Sequence, residues 1–141
     1  MINTSSDRSN SLDAAQLILR LVLGLLTLLH GYSKIKGGPA FILDLVGKAG
    51  LPQALGYLVY VGEVVAPILV IVGIWTRAAA VVIAINMIVA VALVHTGQLL
   101  TLSPQGGWAL ELQGFYLAVA IVIALIGAGR YSAGGADGRW N

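Results

Sequence analysis

Four uninterrupted apolar stretches, each near the length of a bilayer-crossing helix, leave this sequence few folds to choose from. They run over about 14–33, 54–75, 78–95 and 108–129. Spanning ~30 Å of hydrocarbon as an α-helix takes roughly 20 mostly apolar residues. The apolar residues are continuous and do not alternate, so the spans are helices and not barrel strands. Of the 141 residues, 58% are hydrophobic and 10% charged, against about 25% charged in a soluble domain. Lipid must therefore solvate most of the surface. The expected fold is all-α, a four-transmembrane-helix bundle forming one domain over residues 14–130. Polar tails, 1–13 and 131–141, flank it and are expected to be disordered.

The connections differ in kind. Gly37-Gly38-Pro39 ends the first span, and Pro39 suits the first position of a new helix. In the segment that follows, Phe41, Ile42, Leu45 and Val46 share one side, while Asp44 and Lys48 stand four apart on the other. Too short to span, this segment reads as an interfacial helix lying on the membrane between spans one and two. Thr76-Arg77 reads as the tight turn that makes spans two and three an antiparallel hairpin. The first span ends in His30-Gly31-Tyr32-Ser33-Lys34, without a small-x-small cleavage site, and is read as uncleaved.

Charge and cysteine content exclude several functions. The eight Lys and Arg are scattered, so no nucleic acid partner is expected. With no cysteine, disulfides, thiol relays and thiolate-held zinc or iron–sulfur clusters drop out. Orientation follows the Lys and Arg balance of the loops. Arg8, Arg77, Arg130 and Arg139, with Arg20 snorkelling, face Lys34, Lys36 and Lys48 across the membrane. That places both termini in the cytoplasm and Lys34 at the outer side.

Glu63 stands near the middle of span two, where a carboxylate costs about 3 kcal/mol on insertion scales. A cation must pair with it, or it holds a proton. Arg20, Gly24, Thr27, Gly31 and Lys34 follow at helical spacing on one stripe of span one, facing its neighbours. Two readings stand side by side: a structural Arg20–Glu63 ion pair that sets helix register, or a carboxylate that handles protons or a ligand. Lys34, Tyr60, Glu63 and Asn86 overlap in depth in the outer half of the bundle. They are expected to line a polar pocket for a small amphipathic molecule such as a quinone, with His30 and Lys34 engaging its head group. The competing reading is a packed core in which these groups satisfy one another. His95 and Glu111 join His30 at the outer end, but no span carries a His-x3-His or Glu-x-x-His pair, so no metal site is expected.

Five pieces in order resemble the DoxX family: Arg20-x3-Gly24, His30-Gly31-Tyr32-Ser33-Lys34, Gly62-Glu63 with Pro67, Gly73-x-x-Thr76-Arg77, and Gly127-Ala128-Gly129-Arg130-Tyr131-Ser132. The resemblance runs from about Leu12 to Ser132. It implies a four-helix protein of the bacterial inner membrane, in a family named for subunits of a quinone-linked sulfur-oxidising enzyme. The family pattern continues with an acid where this chain has Ala133. The expected function is a quinone- or amphiphile-binding subunit of a membrane oxidoreductase system, served by a soluble or membrane redox partner. A small proton-coupled transporter and a scaffold that recruits partner proteins are the alternatives, and self-association is compatible with each. A reporter fused after Asn141 is expected to work only in the cytoplasm; activity only in the periplasm would invert the topology.

Overall fold

A computed structural model describes residues 4–141, with side chains from Ser9 onward. The chain is an all-helical membrane bundle. Its helices are α1 (Thr4–Gly37), α2 (Ala40–Lys48), α3 (Gln53–Val72), α4 (Thr76–Val94) and α5 (Glu111–Ile126). Among the described residues α1, α3 and α4 are long and apolar enough to cross a membrane, and α5 is a shorter apolar helix packed with them. At 1.5 Å per residue α5 is about 24 Å long. It falls short of the expected 108–129 because Gly127 leaves the helix at φ 80°, while Trp108 is held in the preceding loop by its indole N–H on the Leu99 carbonyl (2.9 Å).

The four long helices form a square in which α1 and α4 each pack on both α3 and α5. The core takes Leu23 from α1, Ala66 and Val70 from α3, Ala80, Ile83 and Met87 from α4, and Tyr116, Ala120 and Ile123 from α5. Large apolar side chains such as Ile18, Leu29, Ile85, Ile88, Phe115 and Leu125 are exposed. In water these would be an aggregating surface. In lipid they are the ordinary outside of a bundle whose helices meet through small residues. Gly24 of α1 illustrates this, since a Cβ there would lie 3.1 Å from the Pro67 carbonyl oxygen of α3 and would also strike Ile71.

Arg20 corrects one sequence reading. It is 1% exposed, yet it does not pair with Glu63. Its guanidinium donates to four backbone carbonyls: Val70 (2.8 Å), Ile71 (2.8 Å), Ala128 (2.9 Å) and Tyr131 (2.8 Å). Val70 and Ile71 lie in the last turn of α3, and Ala128 and Tyr131 just past α5. Helix C-termini leave their final carbonyls unsatisfied and carry partial negative charge. Helix ends thus supply what the sequence reading assigned to a carboxylate. Gln16 and Arg77 extend the arrangement. Gln16 donates to the Ile126 carbonyl (2.9 Å) and Arg77 to those of Ala124 (3.1 Å) and Leu125 (2.6 Å).

The turn between α3 and α4 also departs from expectation. It is made by Gly73 and Trp75, both left-handed at φ 79° and 50°, while Thr76-Arg77 open α4. A Cβ at Gly73 would collide with the Arg20 guanidinium and with Ser132, so only glycine turns the chain here.

Neither tail is an unstructured appendage. Residues 4–13 continue α1, and the Asp13 carboxylate accepts the Arg130 N–H (3.0 Å); residues 1–3, expected to be disordered, lie outside the described residues. The C-terminal segment lies across the α3–α4 turn. There the N–H groups of Ala133 and Gly134 donate to the carbonyls of Val72 (3.1 Å) and Gly73 (2.8 Å). The Trp140 carbonyl accepts the Arg77 N–H (2.9 Å), and the buried Asn141 accepts the Thr76 hydroxyl (2.8 Å). The cause is the same as at Arg20: a helix pair ending at a turn leaves donors and acceptors open, and a flexible, glycine-rich strap can reach them. Both described chain ends therefore gather at one end of the bundle, with Lys34 at the other.

Replacing Arg20 with Lys keeps the charge but gives up the planar fork that spans two helix ends. Arg20→Lys should cost about 3 kcal/mol or more in reversible unfolding in mild detergent. A loss near zero would show that the carbonyl contacts contribute little.

Candidate functional site

The carboxylate that most needs explaining is Glu63, 3% exposed within an apolar helix. It sits in a π-helical segment of α3, Val61–Val65. Pro67 follows four residues later and has no N–H to offer the Glu63 carbonyl, so the regular i→i−4 ladder cannot continue through it. The widened turn precedes that break, and such π segments occur often at functional sites.

Three helices bring polar groups to this carboxylate. From α1, the Lys34 ammonium contacts both oxygens, Oε1 at 2.5 Å and Oε2 more closely still. From α4, the Asn86 amide donates to Oε1 (3.2 Å). Tyr60, on α3, donates its hydroxyl to the Lys34 carbonyl (3.3 Å), which ties the end of α1 to α3. The side chain of Lys34 is 30% exposed and that of Glu63 4% exposed. The pair is thus closed on the carboxylate side and partly open on the ammonium side. A buried ion pair gains little net stability, because desolvation offsets its attraction; removing one member is what costs several kcal/mol.

Two glycines make the approach feasible. A Cβ on Gly31 would overlap the Glu63 carbonyl, so only glycine lets α1 lie directly against the π segment. A Cβ on Gly62 would fall 2.6 Å from the Asn86 side chain and push the amide off the carboxylate.

The ion pair foreseen as Arg20–Glu63 is therefore Lys34–Glu63. Arg20 is the only cation inside an expected span and lies on the inward stripe, but a lysine at the end of α1 reaches back to the carboxylate. Lys34, Tyr60, Glu63 and Asn86 converge as a bonded group, while His30 does not join them. His30 meets the edge of the Tyr116 ring, with centroids 5.8 Å apart and planes at 79°. His95 bonds Gln98 (2.9 Å) and approaches Gln113 (3.5 Å), and Glu111 is exposed. Among the described residues no three His, Asp or Glu side chains converge on a point. Beside the site, a groove of about 480 Å³ is lined by Leu25, Leu28, Leu29, Tyr32, Ile35 and Val64. Its walls are apolar and include none of the four bonded residues.

Some participants went unforeseen. Gln16, four residues before Arg20 on the same stripe, was legible from spacing alone. The Thr27 hydroxyl, fully buried on α1 between Gly24 and Gly31, has no hydrogen-bond partner. The Tyr116 contact with His30 left no signal in the sequence, since it depends on how α5 packs.

A lipid-facing helical bundle built around a buried carboxylate and its lysine partner defines a class of membrane protein, and comparison with known proteins identifies the family. The DoxX profile matches residues 15–96, more than half of the chain, and this protein belongs to the DoxX family. The matched region contains Arg20, Lys34, Tyr60, Glu63 and Asn86, and α5 lies outside it. A Bacillus subtilis (strain 168) protein named "Putative oxidoreductase CatD" is 31% identical over 83 residues, covering 59% of this chain and 61% of that relative. The alignment thus spans less than two thirds of the relative. No solved structure matches.

The geometry separates the two candidate pairings by experiment. In unfolding measurements, Lys34→Gln and Glu63→Gln should be coupled by about 1–3 kcal/mol, whereas Arg20→Gln and Glu63→Gln should add to within about 0.5 kcal/mol. The reverse pattern would restore the Arg20 pairing.

Proposed function

We propose that the Lys34–Glu63–Asn86 group, closed by Tyr60, is the head-group site for a small amphipathic carbonyl compound such as a quinone. On this reading the protein serves as a quinone-binding subunit of a membrane oxidoreductase system. The observation that carries it is the asymmetry of the ion pair, with Glu63 sealed in the bundle and Lys34 partly open. A quinone carbonyl is an acceptor, and the ammonium can turn to meet it without leaving the carboxylate uncompensated. Asn86 holds Glu63 in place meanwhile.

Reduction of a quinone to its hydroquinone takes two electrons and two protons. Lys34 stands at the ring oxygen as proton donor and delivers the two protons in turn, re-protonated from its partly open side after each, while Glu63 stays ionised and holds the ammonium in place. The electrons come from a redox partner, which this reading requires. The name of the Bacillus subtilis relative points the same way, toward an oxidoreductase. The proposed setting is the bacterial inner membrane, both termini cytoplasmic, with the site toward the outer face. This follows from the Lys and Arg balance and the position of Lys34 opposite the chain ends.

Gentle purification followed by mass spectrometry should recover a quinone with the wild-type protein. Lys34→Gln should retain at least about tenfold less, and so should Glu63→Gln, each at comparable protein yield. Equal retention by wild type and both variants, or none by any of them, would overturn the proposal.

A further inference from the structure

The apolar groove has no role in the head-group site, and its position suggests one. It runs along the lipid-facing side of the α1–α3 seam, from Leu25 up through Leu28, Leu29 and Tyr32 to Ile35, with Val64 as the wall on α3. Leu25 to Ile35 is about 15 Å of helix axis at 1.5 Å per residue, half of the ~30 Å hydrocarbon core. The groove is therefore about as long as one leaflet is thick. Its upper end is level with the proposed site, because Ile35 follows Lys34 and Val64 follows Glu63.

Resting on the reading above, we infer that this groove holds the single hydrocarbon chain of the amphiphile whose head sits at Lys34. The ligand class is thereby narrowed to lipid-soluble quinones bearing an isoprenoid or comparable tail, taken up laterally from one leaflet. The volume, about 480 Å³, lies within the roughly 300–1,000 Å³ of small-molecule sites. Charge placement agrees: the walls carry no charged side chain, and Lys34, next to Ile35 in the chain, stands at the end where the head belongs. Transfer from lipid to the groove brings no hydrophobic gain, since acyl chains are equally apolar. The gain is instead close packing of the chain against Leu28, Leu29 and Val64, the kind of contact that drives association in lipid, which also keeps the attached head beside Lys34.

The test compares menadione, a naphthoquinone without a tail, with the same ring carrying an isoprenoid chain. Binding to protein in nanodiscs is expressed per mole fraction in the bilayer, so that partitioning cancels. The tailed compound should bind at least about tenfold tighter. Leu28→Trp, which fills the groove, should remove that advantage and leave menadione binding unchanged. Ile85→Trp, on the lipid face of α4, should change neither.

Equal binding of the two compounds by wild type, or a tail advantage that survives Leu28→Trp, would overturn the groove assignment while leaving the head-group site standing. Binding of neither compound would overturn both. If Leu28→Trp fails to fold, Leu29→Trp at the groove rim, 62% exposed, replaces it with the same expected loss of the tail advantage.

Discussion

A carboxylate at bilayer depth must be compensated, and the arrangement around Glu63 follows from that need. The compensation comes from α1 and not from a neighbour on α3. The two helices must then approach closely enough for Lys34 to reach both carboxylate oxygens. Gly31 makes the approach sterically feasible, because any side chain there would overlap the Glu63 backbone. Gly62 does the same for Asn86 of α4. The π segment and Pro67 loosen α3 locally, where a regular helix would present Glu63 at a different angle. A charge that is costly in lipid thus sets the packing of three helices.

The opposite end of the bundle solves a different problem by different chemistry. Where helices α3 and α5 end near the interface, their last carbonyls need donors, and Arg20, Gln16 and Arg77 supply them. The guanidinium of Arg20 spans two helix ends at once, so α1, α3 and α5 are cross-linked at one level. The C-terminal strap meets the remaining backbone groups of the α3–α4 turn. This end holds its buried cation in hydrogen bonds to helix ends, while Lys34 at the other end stays partly exposed.

The buried Thr27 hydroxyl, like the Gln113 amide oxygen, has no hydrogen-bond partner. It lies on the stripe that carries Arg20 and Lys34, between the two glycines at which α1 meets α3. Buried hydroxyls usually find an acceptor, and nothing in the surrounding packing accounts for this one.

Some of this protein was decided by local chemistry, and some only by assembly. Span number and type, the short helix after Pro39, the inward stripe of α1 and the membership of Lys34, Tyr60, Glu63 and Asn86 in one region all follow from residue spacing and the cost of polar groups in lipid. Those properties depend on one helix at a time. Which cation meets Glu63 depends on relative depth and rotation of two helices, and spacing within either helix is silent on both. Arg20 and Lys34 share a stripe, and spacing along it does not say which of them lies level with Glu63. Tertiary packing chose Lys34, because α3 and α5 end beside Arg20 and their carbonyls take up its donors. The same reason hid the structured tail: the turn it covers exists only once α3 and α4 have paired, and glycine-rich composition reads as disorder until that partner surface is present.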